Sequence, residues 1–270
     1  MHPLFDLTGR TALITGGAGL LGRRHAEAIA AAGGIPVVLD INGDRAVQVA
    51  AELGKGALGM QLDITDPQQV QAAADTILNR FGHIDILINN AANNPKMERT
   101  DKVVPSRLEH FPLAQWNADI GVGLTGAFLC SQVVGRVMAV AGQGVILNIA
   151  SDLAVIAPDQ RLYERDGIPE EEQNVKPVTY SVVKHGMLGL TKYLASYFGP
   201  KGIRVNALSP GGVQTPNTDP ILLERLKKLT PMGRMARDDE YQGAVLFLCS
   251  DASSYITGQN LLIDGGRSRQ

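Results

Sequence analysis

Thr11 to Gly22 reads TALITGGAGLLG: a five-residue apolar run, TALIT, followed at once by Gly16, Gly17, Gly19 and Gly22. A run that short, closed by glycines, predicts a buried strand, and the alanine-rich stretch behind it predicts a helix through Ala32 that Gly33 and Gly34 end. Strand, glycine turn and helix in that order make a site for phosphate. Glycine lets backbone approach a pyrophosphate closely, and the first turn of a helix offers free N–H groups and the positive end of its dipole. A glycine cluster also serves as a plain turn, so the next segment carries the reading. That segment is a strand, Ile35 to Leu39, closing on Asp40, 18 residues after Gly22. A carboxylate at about that separation binds the hydroxyls of an adenosine ribose and repels a 2′-phosphate, which argues for NAD over NADP. Arg23 and Arg24 would argue for NADP if they held that phosphate, but directly after the last glycine they fall on the helix surface.

Composition narrows the class. At 270 residues, 44% hydrophobic, 19% charged and with a formal net charge of -2, the chain shows no electrostatic preference for nucleic acid or an anionic membrane. Its two cysteines, Cys130 and Cys249, lie in apolar helix-like stretches and read as buried free thiols, which suits a reducing cytoplasm. MHPLFDLTGR lacks a basic region followed by an apolar run, and no stretch reaches the ~18 apolar residues of a membrane span. The expected location is cytoplasmic.

Strand and helix patterns alternate along the rest of the chain. A helix from Gly43 to Leu53 leads to a strand, Ala57 to Leu62, that ends at Asp63, placed to contact adenine. A helix, Gln68 to Phe81, precedes the strand Ile84 to Ile88, which runs into Asn89, Asn90, Ala91 and Ala92. There amides can bond strand ends and small residues leave room for a ligand, although a plain turn accounts for the stretch equally well. After an aperiodic segment, Asn93 to Phe111, a long helix pattern from Leu113 to about Ala141 is broken by Gly121, Gly123 and Gly126. The strand Gly144 to Ala150 ends at Ser151 and Asp152, and a second polar segment occupies Ala157 to Pro177. Strand Ile203 to Leu208, a turn from Ser209 to Thr215, helices Asp219 to Leu229 and Asp238 to Cys249, and strand Asn260 to Ile263 complete the order. Every crossover is long enough to hold a helix, so the sheet is parallel. Ligands of such sheets sit beyond the carboxyl ends of the strands, where the excursions near 93–112 and 152–177 would border the site.

Between the second excursion and the strand at Ile203 lies TYSVVKHG, Thr179 to Gly186, with Tyr180 four residues before Lys184. On a helix, positions four apart share a face, so phenol and ammonium can meet. A positive charge nearby lowers the ordinary tyrosine pKa of ~10, and such a phenol can take a proton from an alcohol or give one to a carbonyl. A half-buried tyrosine beside a solvated lysine is the plainer account of the spacing alone.

From Leu7 to Gly266 the chain resembles the short-chain dehydrogenase/reductase family. The motifs, in order, are the turn Thr15 to Gly22, Asp40, Asp63, NNAA, Ser151, Tyr180 with Lys184, PGGVQT and the terminal DGG. The resemblance implies a single Rossmann-type α/β domain over 1–270, a doubly wound parallel sheet of about seven strands with helices on both faces. It implies that Ser151 orients the substrate oxygen, that Tyr180 gives or takes the proton, and that Lys184 binds the nicotinamide ribose and acidifies Tyr180. It places NAD against Gly16, Gly19, Leu21, Gly22, Asp40, Asp63, Ile64, Asn90, Ala91, Tyr180, Lys184, Pro210, Gly211, Val213 and Thr215, with Thr215 and its neighbouring backbone at the carboxamide. A homodimer or homotetramer is implied as well. Hydride would pass between substrate carbon and nicotinamide while Tyr180 moves the proton.

This sequence departs from the family pattern at named positions. Leu20 stands where a glycine is usual, with Gly19 one place early; Ala92 replaces a glycine; and Gly123 replaces an asparagine that helps hold a proton-relay water beside the lysine. Ser151 lies 29 residues before Tyr180, about twice the usual separation, and Tyr163, nearer that spacing, has Gly167 where the lysine would be. The reading is an NAD-dependent alcohol/carbonyl oxidoreductase of a polar, sugar-like or phosphorylated small molecule. Lys96, Arg99, Lys102, Arg107, Arg161 and Arg165 in the two excursions suit anions or hydroxyls. Reduction of a steroid, acyl or small ketone substrate is the alternative within that chemistry, and a nucleotide-sensing protein with weak catalysis is the alternative outside it. No G-x-S-x-G elbow supports a serine hydrolase, and His2, His25, His83, His110 and His185 lack metal-ligand spacing.

Overall fold

Strand order fixes where a ligand can sit. In the computed structural model, which describes residues 2–54, 56–93 and 104–269, the strands are β1 (Thr11–Thr15), β2 (Ile35–Asp40), β3 (Leu58–Gln61), β4 (Ile86–Asn89), β5 (Gly144–Ile149), β6 (Ile203–Pro210) and β7 (Asn260–Ile263). They form one sheet in the order β3-β2-β1-β4-β5-β6-β7, every pair parallel. The order reverses between β1 and β4, and the crevice at such a reversal is where doubly wound sheets take their ligands.

The near-continuous apolar runs of the strands follow from burial on both faces. On β1, Ala12 and Ile14 join one core while Leu13 joins the other. The first core is closed by α1 (Leu20–Ala31), α2 (Gly43–Leu53) and α8 (Gln242–Cys249), through Ile29, Val49 and Val245. The second is closed by α3 (Pro67–Phe81), α5 (Gly126–Ala141) and α6 (Val178–Phe198), through Ile77, Val134 and Phe198. Helix starts follow local chemistry. Asn42 and Asp66 accept backbone N–H bonds in the first turns of α2 and α3, and Asp219 does so for α7 (Pro220–Leu229).

The pattern from Leu113 to Ala141 is not broken at its glycines. It folds as α4 (Leu113–Ile120), one π turn (Gly121–Thr125) and α5 in direct succession. The glycines serve close packing instead: a Cβ on Gly126 would lie 2.5 Å from Ile64 Cδ1, and one on Gly123 would lie 2.5 Å from Val183 Cγ1. This stretch is long and apolar enough to cross a membrane, with mean hydropathy 1.5, although polar residues such as Asn117, Asp119 and Arg136 interrupt its apolar run. Its Cys130, Val133, Val134 and Met138 are buried in the core shared with Ile146 and Val205 of the sheet. Strand β6 runs two residues past Leu208, because Ser209 and Pro210 pair with Leu262 and Ile263.

Candidate active site

A cavity of about 1060 Å³ opens beyond the carboxyl ends of the central strands, and its walls run from Gly16 to Arg267. The glycine turn forms one wall. Gly16 has a φ of +60°, in the left-handed region, and a Cβ on Gly22 would collide with the Gly16 carbonyl oxygen, so the turn lies flat against the start of α1. Gly19 precedes the first residue of α1 with extended backbone, so the shifted glycine still supplies the helix entry, and Leu20 stands half exposed at the cavity rim.

Asn90 crosslinks the two central strands. Its Nδ2 donates to the carbonyls of Thr15 (2.9 Å) and Gly16 (3.0 Å), while the N–H groups of Asn90 and Ala91 donate to Thr15 Oγ1. The amide is thus engaged in shaping the turn, and Asn90 and Ala91 line the cavity behind it.

Asp40 sits at the end of β2 on the same wall. Its carboxylate accepts the N–H of Ala18, inside the glycine turn, at 3.1 Å and that of Asn42 at 3.0 Å. Arg23 and Arg24 are turned to other partners: Arg23 to Glu27 and Glu52, Arg24 to Glu27 and Asp238, and neither lines the cavity. Asp63 accepts from the backbone and hydroxyl of Thr65 and lines the cavity with Ile64. On the far side of the sheet Pro210, Gly211, Val213 and Thr215 complete the lining. The turn is pinned there by Tyr241, whose hydroxyl donates to the Gly211 carbonyl at 3.0 Å, and by Gly211 N–H to Ile263.

Ser151, Tyr180 and Lys184 share one end of this cavity although 29 residues separate the first two in sequence. The excursion between them folds into short 3-10 turns, Gln160–Tyr163 and Glu170–Glu172, and returns at α6. Ser151 is buried, hydrogen-bonds Tyr180, and donates to Asp152 Oδ1 at 2.8 Å. Lys184 is buried and donates to the Ile149 carbonyl at 2.9 Å, its Nζ 5.8 Å from the Tyr180 ring centre. Tyr163 lines the same end, its hydroxyl pushed up to about 12 by burial.

The expected acidification of Tyr180 by Lys184 is opposed, in the protein alone, by burial. Burial, the largest influence, raises the Tyr180 pKa; the Ser151 hydrogen bond opposes this and the Asp152 carboxylate adds to it. Lys184 itself is pulled down to about 8, first by burial and then by the neighbouring ammonium of Lys176. At Gly123, Val183 fills the space where a side chain would begin.

Three residues absent from the motif set complete this end. Lys176, half-buried, has its Nζ 3.8 Å over the Tyr180 ring centre, and Arg267 bonds Asp152 at 2.7 Å, these last two side chains nearly buried. The terminal DGG does the placing: Asp264 accepts the N–H groups of Gly266 and Ser268, fixing the turn that brings Arg267 to Asp152. The regular spacing of Lys176, Tyr180 and Lys184, four apart each time, was the visible signal for Lys176. The loop cations are placed otherwise than expected. Arg107 bonds Glu109, Arg161 pairs with Asp159 and Arg165 with Asp219, and none lines the cavity; Lys96, Arg99 and Lys102 lie outside the described residues.

Dinucleotide crevice and tyrosine-lysine helix together define an oxidoreductase acting on CH–OH groups, and the chain belongs to the short-chain dehydrogenase/reductase family. The family model for short chain dehydrogenase matches residues 10–163, and that for enoyl-(acyl carrier protein) reductase matches residues 168–268. D-threitol dehydrogenase of Mycolicibacterium smegmatis is 38% identical, covering 97% of this chain and 94% of its own. A 3-alpha-(or 20-beta)-hydroxysteroid dehydrogenase of Mycobacterium tuberculosis is 36% identical, over 96% and 90%. Among solved structures, a gluconate 5-dehydrogenase from Burkholderia cenocepacia, in complex with NADP and tartrate, superposes with a TM-score of 0.85 at 33% identity, covering 99% and 98% of the two chains.

Proposed function

We propose that the protein is an NAD-dependent dehydrogenase that interconverts a secondary alcohol and a carbonyl on a polar, sugar-like small molecule, one domain over 1–270 both holding the cofactor and doing the chemistry. The observation that carries this is the meeting of Ser151, Tyr180 and Lys184 in the cavity that the glycine turn and Asp40 also line. The cradle suits a dinucleotide. Gly16, Gly19, Leu21 and Gly22 would take the pyrophosphate, Asp40 the adenosine ribose, and Asp63 with Ile64 the adenine. Asn90 and Ala91 form the floor, and Pro210, Gly211, Val213 and Thr215 would take the carboxamide.

NAD rather than NADP is favoured by charge. The Asp40 carboxylate, held by two backbone N–H groups, stands where a 2′-phosphate would come, and the two arginines that might offset it are already paired. The nicotinamide, when bound, takes up or returns the hydride. In the oxidative direction the carbinol C–H electron pair would leave as that hydride and the O–H proton would pass to the Tyr180 phenolate, the form that burial disfavours; in reduction the neutral phenol gives its proton to the carbonyl oxygen. A phenol kept protonated by burial is ready to donate to a carbonyl oxygen, Ser151 holds that oxygen, and Lys184 would bind the nicotinamide ribose.

The polar substrate class is supported by the threitol and gluconate activities of the relatives and by the charged side chains around Tyr180. A cytoplasmic homodimer or homotetramer is the form we expect; the exposed, stacked Tyr193 and Tyr197 on α6 support association, and the free thiols Cys130 and Cys249 suit a reducing compartment. Replacing Tyr180 by phenylalanine keeps the ring and removes the proton carrier, so kcat should fall by about a hundredfold or more with NADH binding retained. Turnover near the parent level would refute the assignment.

A further inference from the structure

The end of the cavity around Tyr180 holds more positive charge than its acids can balance. Lys176 Nζ lies 3.8 Å from the ring centre and Lys184 Nζ 5.8 Å from it, so two ammonium groups flank one phenol. Asp152 is the acid whose charge reaches Lys176, but its oxygens are engaged. Oδ1 accepts from Ser151 Oγ (2.8 Å) and from the Leu153 N–H (2.9 Å), and Oδ2 accepts from Arg267 (2.7 Å). Arg267 thereby offsets part of the carboxylate's charge. Lys184 has the Ile149 carbonyl, whereas Lys176 Nζ has neither a hydrogen-bond acceptor nor a carboxylate partner among the described residues; its backbone N–H is tied to Gln160. An ammonium drawn partly out of water without a counter-charge is costly unless a ligand brings one.

We infer that the substrate brings it: the ligand is a polyhydroxy acid whose carboxylate is bound by Lys176, with the neighbouring carbinol placed at Tyr180 and Ser151. This rests on the dehydrogenase reading above and narrows its substrate class. A neutral polyol or a steroid supplies no charge and would leave Lys176 uncompensated, whereas a carboxylate attached beside the reacting carbon meets a cation that already overhangs the ring of the proton carrier. Arg267 lines the same cavity but is already paired with Asp152.

The test uses the full chain and two compounds with one carbon skeleton, threonate and threitol. With NAD, kcat/KM should favour threonate by about tenfold or more, Lys176→Met should bring the ratio close to one, and Lys176→Arg should preserve most of it. A ratio below one in the parent, or equal losses on both compounds in Lys176→Met, would overturn the inference, since Lys176 would then act through the tyrosine ring alone. Calorimetric titration of threonate into the NADH-saturated protein separates the two readings. Lys176-sensitive threonate binding without turnover would uphold the carboxylate site and remove only the redox assignment; threonate binding no tighter than threitol binding would remove the site.

Discussion

Cofactor choice rests on a single charge that can be removed with little else disturbed. Asp40→Asn keeps a side-chain oxygen able to accept from Ala18 or Asn42 and deletes the negative charge at the end of β2. Two unit charges at 4 Å interact by about 1 kcal/mol in water and about 4 kcal/mol at an effective dielectric of 20. Asp40 is half-buried, so relief of its repulsion toward a 2′-phosphate should fall between those limits, near 2 kcal/mol, or about a thirtyfold gain in kcat/KM with NADP. NAD should lose in parallel about tenfold, because a charged acceptor for the ribose hydroxyls becomes a neutral one. The assay is kcat/KM with each cofactor at one fixed substrate concentration, repeated at high salt, where the NADP gain should shrink as the charges are screened. A change in the NADP/NAD ratio below about threefold, too small for loss of a nearby charge, would refute the role given to Asp40.

Two further expectations concern the scaffold. His25 is buried with neither ring nitrogen hydrogen-bonded, and burial lowers its pKa to about 4. The unfolded chain takes up this proton below about pH 6.5 and the folded chain only below about 4, so stability should fall by about 3 kcal/mol as pH drops through that window. Urea midpoints across it, compared with those of His25→Leu, should show a steeper pH slope in the parent; equal slopes would contradict the assignment. Gly123→Asn restores the residue usual in the family but drives a Cβ into Val183, at a cost of about 1–3 kcal/mol, most of which Val183→Ala should recover. Thermal melts of the single and double variants check this, and a single variant as stable as the parent would show that the packing is looser than it looks.

What the sequence made legible was whatever local chemistry decides. The buried strands announced themselves as short apolar runs, the glycine turn as a cluster after the first of them, and Asp40 by its distance from Gly22. What it hid depends on contacts between distant segments. Asp152 and Arg267 are 115 residues apart and meet only because a turn at the end of β7 folds back over β5. Spacing reveals that Tyr180 and Lys184 share a face but not how dry that face is, and burial raises the phenol's pKa. Asn90 left two readings open in sequence, and the pairing of β1 with β4 resolved them by setting Thr15 and Gly16 within reach of its amide. The glycines in the long helix looked like breaks because their use lies in Ile64 and Val183, which belong to other elements.

The excursion between Ser151 and Tyr180 leaves from the end of β5 and rejoins the fold at α6, both anchored in the sheet's own packing. Residues between those anchors can be added, lost or exchanged over evolutionary time without shifting serine relative to tyrosine. A lineage could therefore change its diet by editing this segment while inheriting the redox machinery intact, and a grafted segment from a relative with another substrate is the natural unit for redesign.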